Sequence, residues 1–145
     1  MNVTGQTFGY PDTLIREYKY WVVLLRPAQI TIGTLVLVNK SGATHLGQLS
    51  VEEWAEFALV SQDMESLLAK TFGAEKYNYL ALMMRDPNVH FHFVPRYSKP
   101  VKFNGNEYPD VDWPLKTELN PLNISAEKHK HIKTTLLANL KEVSG

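Results

Sequence analysis

Apolar positions in this chain repeat with two different periods. Tyr20–Leu25 (YWVVLL) and Gly33–Val38 (GTLVLV) are continuous β-prone runs, which predict two strands joined through Arg26–Pro27–Ala28–Gln29. From Ser50 to Gly73 the period lengthens. Trp54, Phe57, Ala58, Met64, Leu67, Leu68 and Phe72 fall close to one stripe at 3.6-residue spacing, the pattern of a helix lying on a sheet. Ser50 with Glu53 three positions later is a capping-box start, and Gly73 is a stop. Tyr77–Met84 (YNYLALMM) and Val89–Val94 (VHFHFV) predict two further strands, antiparallel about the turn Arg85–Asn88, with Pro95 ending the second. Residues 1–18 read as turns around Gly9 and Pro11, followed by a helical turn over Thr13–Tyr18, and Lys40–Gly47 reads as a loop. Val101–Leu122, rich in Pro, Asn and Asp, predicts a wrapping loop; Ser125–Lys141, with Ile132, Leu136, Leu137 and Leu140 at helical spacing, predicts a C-terminal helix.

The strand Asn88–Val94 carries the chemistry. Its side chains alternate between faces, so Val89, Phe91 and Phe93 go to one side and Asn88, His90 and His92 to the other, with the two imidazoles about 7 Å apart by strand rise. In the register that places Met84 opposite Asn88, Asn78 lies opposite Val94 and joins the histidine-bearing face. Polar groups between apolar neighbours on an inner strand need partners or a use, because burying them unpaired costs free energy.

Composition narrows what that use is. With 145 residues, 44% of them hydrophobic, the chain is the size of one domain, and no repeat or linker divides it. Fifteen basic and fifteen acidic residues cancel, so no chain-wide field favours nucleic acid or an anionic membrane. The absence of cysteine removes thiolate nucleophiles, disulfides and Cys-based zinc sites. No basic segment leads into an apolar stretch at the N-terminus, and Tyr20–Val38 is interrupted by Arg26, Pro27 and Gln29; a cytoplasmic location is expected.

Three readings of His90 and His92 stand side by side. They are satisfied structural histidines; or two ligands of a zinc ion, which needs a third from a carboxylate or His45; or a nucleophile and a phosphate-stabilising partner. Arg96, Lys99 and Lys102 follow the pair and offer positive charge to phosphate oxygens, whereas Glu107, Asp110 and Asp112 read as a polar loop rather than a magnesium site. Trp113–Pro114 fits core packing as well as it fits a cover over a nucleobase or a dimer seam. His129 and His131, two apart on a helix, do not share a face.

The run His90–Phe91–His92–Phe93–Val94–Pro95–Arg96 resembles the signature of the histidine triad (HIT) family, His-φ-His-φ-His-φ-φ followed by Pro-Arg, where φ is apolar. The likeness of pattern extends over about residues 18–97, from Trp21–Pro27 through the Gly33 strand, the Ser50 helix and Tyr77–Leu80. It places the middle histidine at His90, the third at His92, and Asn88 where the family has its first histidine. The short Arg85–Asp86–Pro87 turn also lacks the Gly-Ser or Gly-Gln stretch of many members. The resemblance implies one α+β domain over 1–145, with a mostly antiparallel sheet, one long helix and a C-terminal helix, in which residues from about 98 onward form the wrapping loop and last helix. It implies a homodimer and hydrolysis or transfer of a nucleotidyl group from a nucleoside phosphoanhydride, such as a diadenosine polyphosphate, or a phosphoramidate. A nucleotide-binding module with weakened catalysis and a phosphorylase-type adenylyltransferase are the alternatives. In the implied site His90 is the nucleophile, anchored by the backbone carbonyl of the first triad position, Asn88; His92 touches the phosphate, and Asn78, Asn88 and Arg96 bind the substrate. No protein-bound metal or cofactor is implied, beyond magnesium accompanying the substrate phosphates.

Overall fold

A computed structural model describes residues 1–143. Five strands, β1 (Leu14–Glu17), β2 (Trp21–Leu25), β3 (Leu35–Asn39), β4 (Lys76–Leu80) and β5 (His90–Arg96), form one antiparallel sheet in the order β1-β2-β3-β5-β4. The long helix α2 (Val51–Phe72) and the last helix α3 (Ala126–Leu140) cover one face, as the α+β expectation holds. Val23, Leu25, Leu35, Leu37 and Phe93 supply that face of the sheet, and Val60, Met64, Leu67, Leu68, Ile132 and Leu136 close over it. The stripe on α2 is shifted slightly from the one expected: Val60 is fully buried and Ala58 is exposed. The opposite face is thin, with Val22, Leu24, Val36 and Val38 beneath Phe8 from the N-terminal segment.

Local chemistry accounts for the ends of α2. Ser50 accepts from the Glu53 N–H while Glu53 reaches back to the Ser50 N–H, and Gly73 closes the helix at φ 77°. Gly33, at φ 90°, is required for a second reason: a Cβ there would lie 2.3 Å from a Leu68 methyl, so its bare backbone lets the β2–β3 connection seat against α2.

Several sequence expectations need correcting. The N-terminal segment carries a short helix, α1 (Val3–Thr7), and Leu14–Glu17 within the expected helical turn is strand β1, tied to β2 with a register irregularity between Leu14 and Arg16. The hairpin is looser than a four-residue turn: pairing places Asn78 opposite Val94 as anticipated but ends at Leu80 opposite His92, and Ala81–Val89 is irregular. Pro95 lies inside β5. The β3 ladder stops at Phe93, so Pro95 has a partner strand on one side only, where a missing N–H is tolerated. The wrapping segment contains a small hairpin, β6 (Val101–Phe103) and β7 (Asn106–Tyr108), turned by Asn104–Gly105 with both residues at positive φ. Among the described residues no helix is long and apolar enough to cross a membrane.

Candidate active site

Strand alternation puts His90 and His92 on the thin face, opposite Val38 and Val36 of β3. Both are buried, at 1% and 6% exposure, with ring centroids 5.1 Å apart and nearly perpendicular planes. Phe8 packs against both rings, at 5.7 and 5.5 Å. Nδ1 of His90 lies 2.7 Å from the Asn88 carbonyl oxygen. A carbonyl only accepts, so this contact fixes the proton on Nδ1 and leaves Nε2 with its lone pair.

Asn88 is held by its own side chain. Its Oδ1 accepts from the Thr4 N–H at 3.2 Å, its Nδ2 donates to the Gly42 carbonyl at 3.1 Å, and its backbone N–H donates to Thr4 Oγ1 at 3.0 Å. The Thr4 N–H belongs to the first turn of α1, where no intrahelical acceptor exists, so the amide of Asn88 completes the start of that helix from across the fold. Asn2 adds a bond from Nδ2 to the Asn39 carbonyl at 2.9 Å. The N-terminal segment is thereby stitched to the ends of β3 and β5, and the Asn88 side chain is turned toward protein groups.

His92 and Arg26 complete the charge pattern. Arg26 lies one residue beyond β2, its N–H bonded to the Thr34 carbonyl, and its guanidinium is near enough to His92 to act on the imidazole. Burial, the Arg26 guanidinium and His90 together hold the His92 imidazole down to about 4, so it is neutral at pH 7. Only three buried side-chain nitrogens or oxygens among the described residues lack a protein partner, and two are His92 Nδ1 and Arg26 Nε. Buried polar atoms are ordinarily paired, so two unpaired ones on residues close enough to interact are an exception in this fold. Both histidines line a cleft of about 220 Å³ walled by Leu82, Met83, Met84, Arg85 and Asp86. Met83 stands at φ 33°, a backbone conformation that non-glycine residues adopt rarely. Sequence reasoning passed over Arg26; its even-numbered place after Val22 and Leu24 was the available signal.

Asn78 and Arg96 form a separate cluster on the sheet. Arg96, 4% exposed, gives Nε and Nη2 to Asp110, Nη2 also to the Leu115 carbonyl, and Nη1 to Asn78 Oδ1 at 2.7 Å. These bonds occupy the guanidinium with protein acceptors. Both residues line a cavity of about 650 Å³ with Lys76, Trp113, Pro114 and Thr117, whereas the histidines line the smaller cleft. Asp110 is thus the partner of Arg96, and Asp112 accepts from the Glu118 N–H. His45 is exposed beside Thr44 Oγ1, His129 meets the Arg26 carbonyl through Nε2, and His131 meets Asn104, so none of the three joins His90 and His92. No group of three or more His, Cys, Asp or Glu among the described residues is placed to share a metal ion.

The sequence matches no family model, and no curated protein matches it either. Solved structures do. A histidine triad protein from Marinobacter aquaeolei is 22% identical with a TM-score of 0.70, each chain covered over 90% of its length. One from Sinorhizobium meliloti is 18% identical at TM-score 0.72, over 96% of this chain and 95% of that one. The diadenosine triphosphate hydrolase of Plasmodium falciparum is 14% identical at TM-score 0.66, over 91% of this chain and 78% of its own. With the sheet order, the helix-covered face and the paired imidazoles of β5 already in place, these likenesses establish that the chain has the fold of the histidine triad proteins.

Proposed function

We propose that the chain is a histidine triad enzyme, a nucleotide hydrolase or nucleotidyl transferase that works through a nucleotidyl-histidine intermediate. The observation that carries this reading is the 2.7 Å contact between His90 Nδ1 and the Asn88 carbonyl, which sets the tautomer whose Nε2 holds the free lone pair, beside a second imidazole. In the first step the Nε2 lone pair forms a bond to the phosphorus of the bound nucleotide, and the phosphorus–leaving-group bond breaks with its electron pair going to the leaving group. In the second, water, or inorganic phosphate in a phosphorylase, bonds to phosphorus and the N–P pair returns to Nε2; the acceptor's proton leaves to solvent. Arg26 and His92 face the phosphate in both steps, with positive charge from Arg26 offsetting the charge that builds on the phosphoryl oxygens. Magnesium enters with the substrate phosphates. The acting form is a cytoplasmic homodimer on this reading.

Zinc chemistry is the less favoured alternative. It requires a third ligand beside His90 and His92, and the described residues gather none. The diagnostic substitution is His90→Ala, assayed on diadenosine and diguanosine polyphosphates with product identification. Turnover should fall by several orders of magnitude while nucleotide binding, followed by calorimetry, persists. Parent-like turnover in the variant would rule out the covalent mechanism, and nucleotide binding without any turnover in the parent would favour the binding-module reading.

A further inference from the structure

The cleft around His90 is short of proton donors, and a nucleotidyl-transfer site depends on what protonates the leaving group. Every element that packs against the two imidazoles contributes to the count. From β3 come Val36 and Val38, from β4 Leu80, opposite His92, and from the N-terminal segment Phe8, none of which carries a labile proton. The loop wall supplies Arg85, Asp86 and apolar side chains, and the end of β2 supplies Arg26. Guanidinium groups do not release protons in proteins, and an ionised carboxylate offers acceptor oxygens only. Asn88, two residues before the nucleophile, has no titratable group, and its amide is bonded to Thr4 and Gly42. His92 is neutral at pH 7, because burial and Arg26 oppose its protonated form. The Nδ1 proton of His90 is held by the Asn88 carbonyl.

We propose that this site cleaves nucleoside phosphoanhydrides and discriminates against phosphoramidates, because the residues walling the cleft leave the departing group to go as an anion. The inference rests on the assignment of His90 as nucleophile and specifies the substrate class of that site. A phosphate or polyphosphate leaves with its electron pair on oxygen and no proton, its conjugate acid having a pKa near 6. An amine cannot leave as its anion. P–N cleavage therefore requires a proton to reach nitrogen as the bond breaks, and general acid assistance of this kind contributes typically about 10²–10⁴-fold.

The test uses the full chain and two sets of probes: adenosine 5′-aryl phosphates graded from nitrophenol to unsubstituted phenol, and an adenosine 5′-N-alkylphosphoramidate beside diadenosine tetraphosphate. The quantity compared is kcat/KM, which covers binding and formation of the nucleotidyl-enzyme and is blind to the later hydrolysis step. The expected result is a steep fall across the aryl series as the phenol becomes more basic, with the phosphoramidate at least about a hundredfold below the anhydride. Asn88→His should raise the phosphoramidate rate selectively; if that variant does not fold, the comparison within the natural chain decides alone. A flat aryl series, or a phosphoramidate cleaved as fast as the anhydride, would mean that a proton does reach the leaving atom, through His92 recharged on the substrate or by another route, and overturns the proposal. Absence of adenosine monophosphate release even from the nitrophenyl ester would instead overturn the assignment of His90, and the proposal with it.

Discussion

Asn88 shows how much one position does at the residue scale. Its carbonyl orients His90, its amide joins α1 to the loop after β3, and the three groups it contacts outside β5 lie 84 and 46 residues away in sequence. The carbonyl contact was legible from the motif; the amide contacts were not, because nothing in a linear pattern links Thr4, Gly42 and Asn88. Arg96 carries the same lesson in reverse. As a cation following the histidines it invites a phosphate, yet Asp110, fourteen residues on, takes two of its nitrogens in a buried ion pair. Thr4→Val tests the clamp with little change of shape. It removes the acceptor of the Asn88 N–H and leaves that buried group unpaired, a loss of about 1–3 kcal/mol. The variant should unfold at lower urea and turn over more slowly, as the Asn88 carbonyl loses its fixed place against His90, while Thr4→Ser, which keeps the hydroxyl, should restore both. Equal midpoints and rates for Thr4→Val and the parent would show that the hydroxyl contributes nothing.

Among the elements, those with redundant local signals were legible. Helix α2 is announced by its cap, its stripe and its stop, and the inner strands β2 and β3, buried at all five positions of each, by uninterrupted apolar runs. Five-residue α1 has too few turns to show a period, and its stability comes from the Asn2 cap and the contacts of Thr4 rather than from propensity. β1 buries only Ile15 fully, so its sequence lacks the alternation of a strand with one wet face. The β6–β7 turn did have a signal, the Asn104–Gly105 pair, hidden in a segment whose prolines and acidic residues suggest loop. The cap of α2 gives an element-scale prediction. Ser50→Ala removes the hydroxyl that accepts from the Glu53 N–H and leaves only the reciprocal bond from the residue-50 N–H to the Glu53 carboxylate, which should lower stability by about 1 kcal/mol. Urea unfolding should show this as a lower midpoint with unchanged slope, since the surface exposed on unfolding stays the same.

At the scale of the molecule, the sheet divides its labour between faces. One face is locked by α2 and α3 over a continuous apolar core, and the other bears the imidazoles under a thin layer from the N-terminal segment. The rigid face positions β5, so the chemistry-bearing face can leave polar atoms unpaired that a core could not accommodate. That arrangement couples the site to global stability through His92. Its folded-state value of about 4 lies below the ordinary histidine value of 6.5, so between those limits the unfolded chain binds the proton that the native chain refuses. Stability linked to this group is therefore fully present above pH 6.5 and declines as the pH falls toward 4, with a slope of at most about 1.4 kcal/mol per pH unit. Lowered carboxylates such as Glu53 act in a more acidic window, below their ordinary value of 4.5, and leave the range above pH 5 to the histidine. Urea midpoints at pH 7 and pH 5 should then differ in the natural chain by up to about 2 kcal/mol of stability, with the lower value at pH 5. His92→Gln, which cannot take up a proton, should lose most of that difference; an undiminished pH dependence in the variant would place the coupled group elsewhere in the fold.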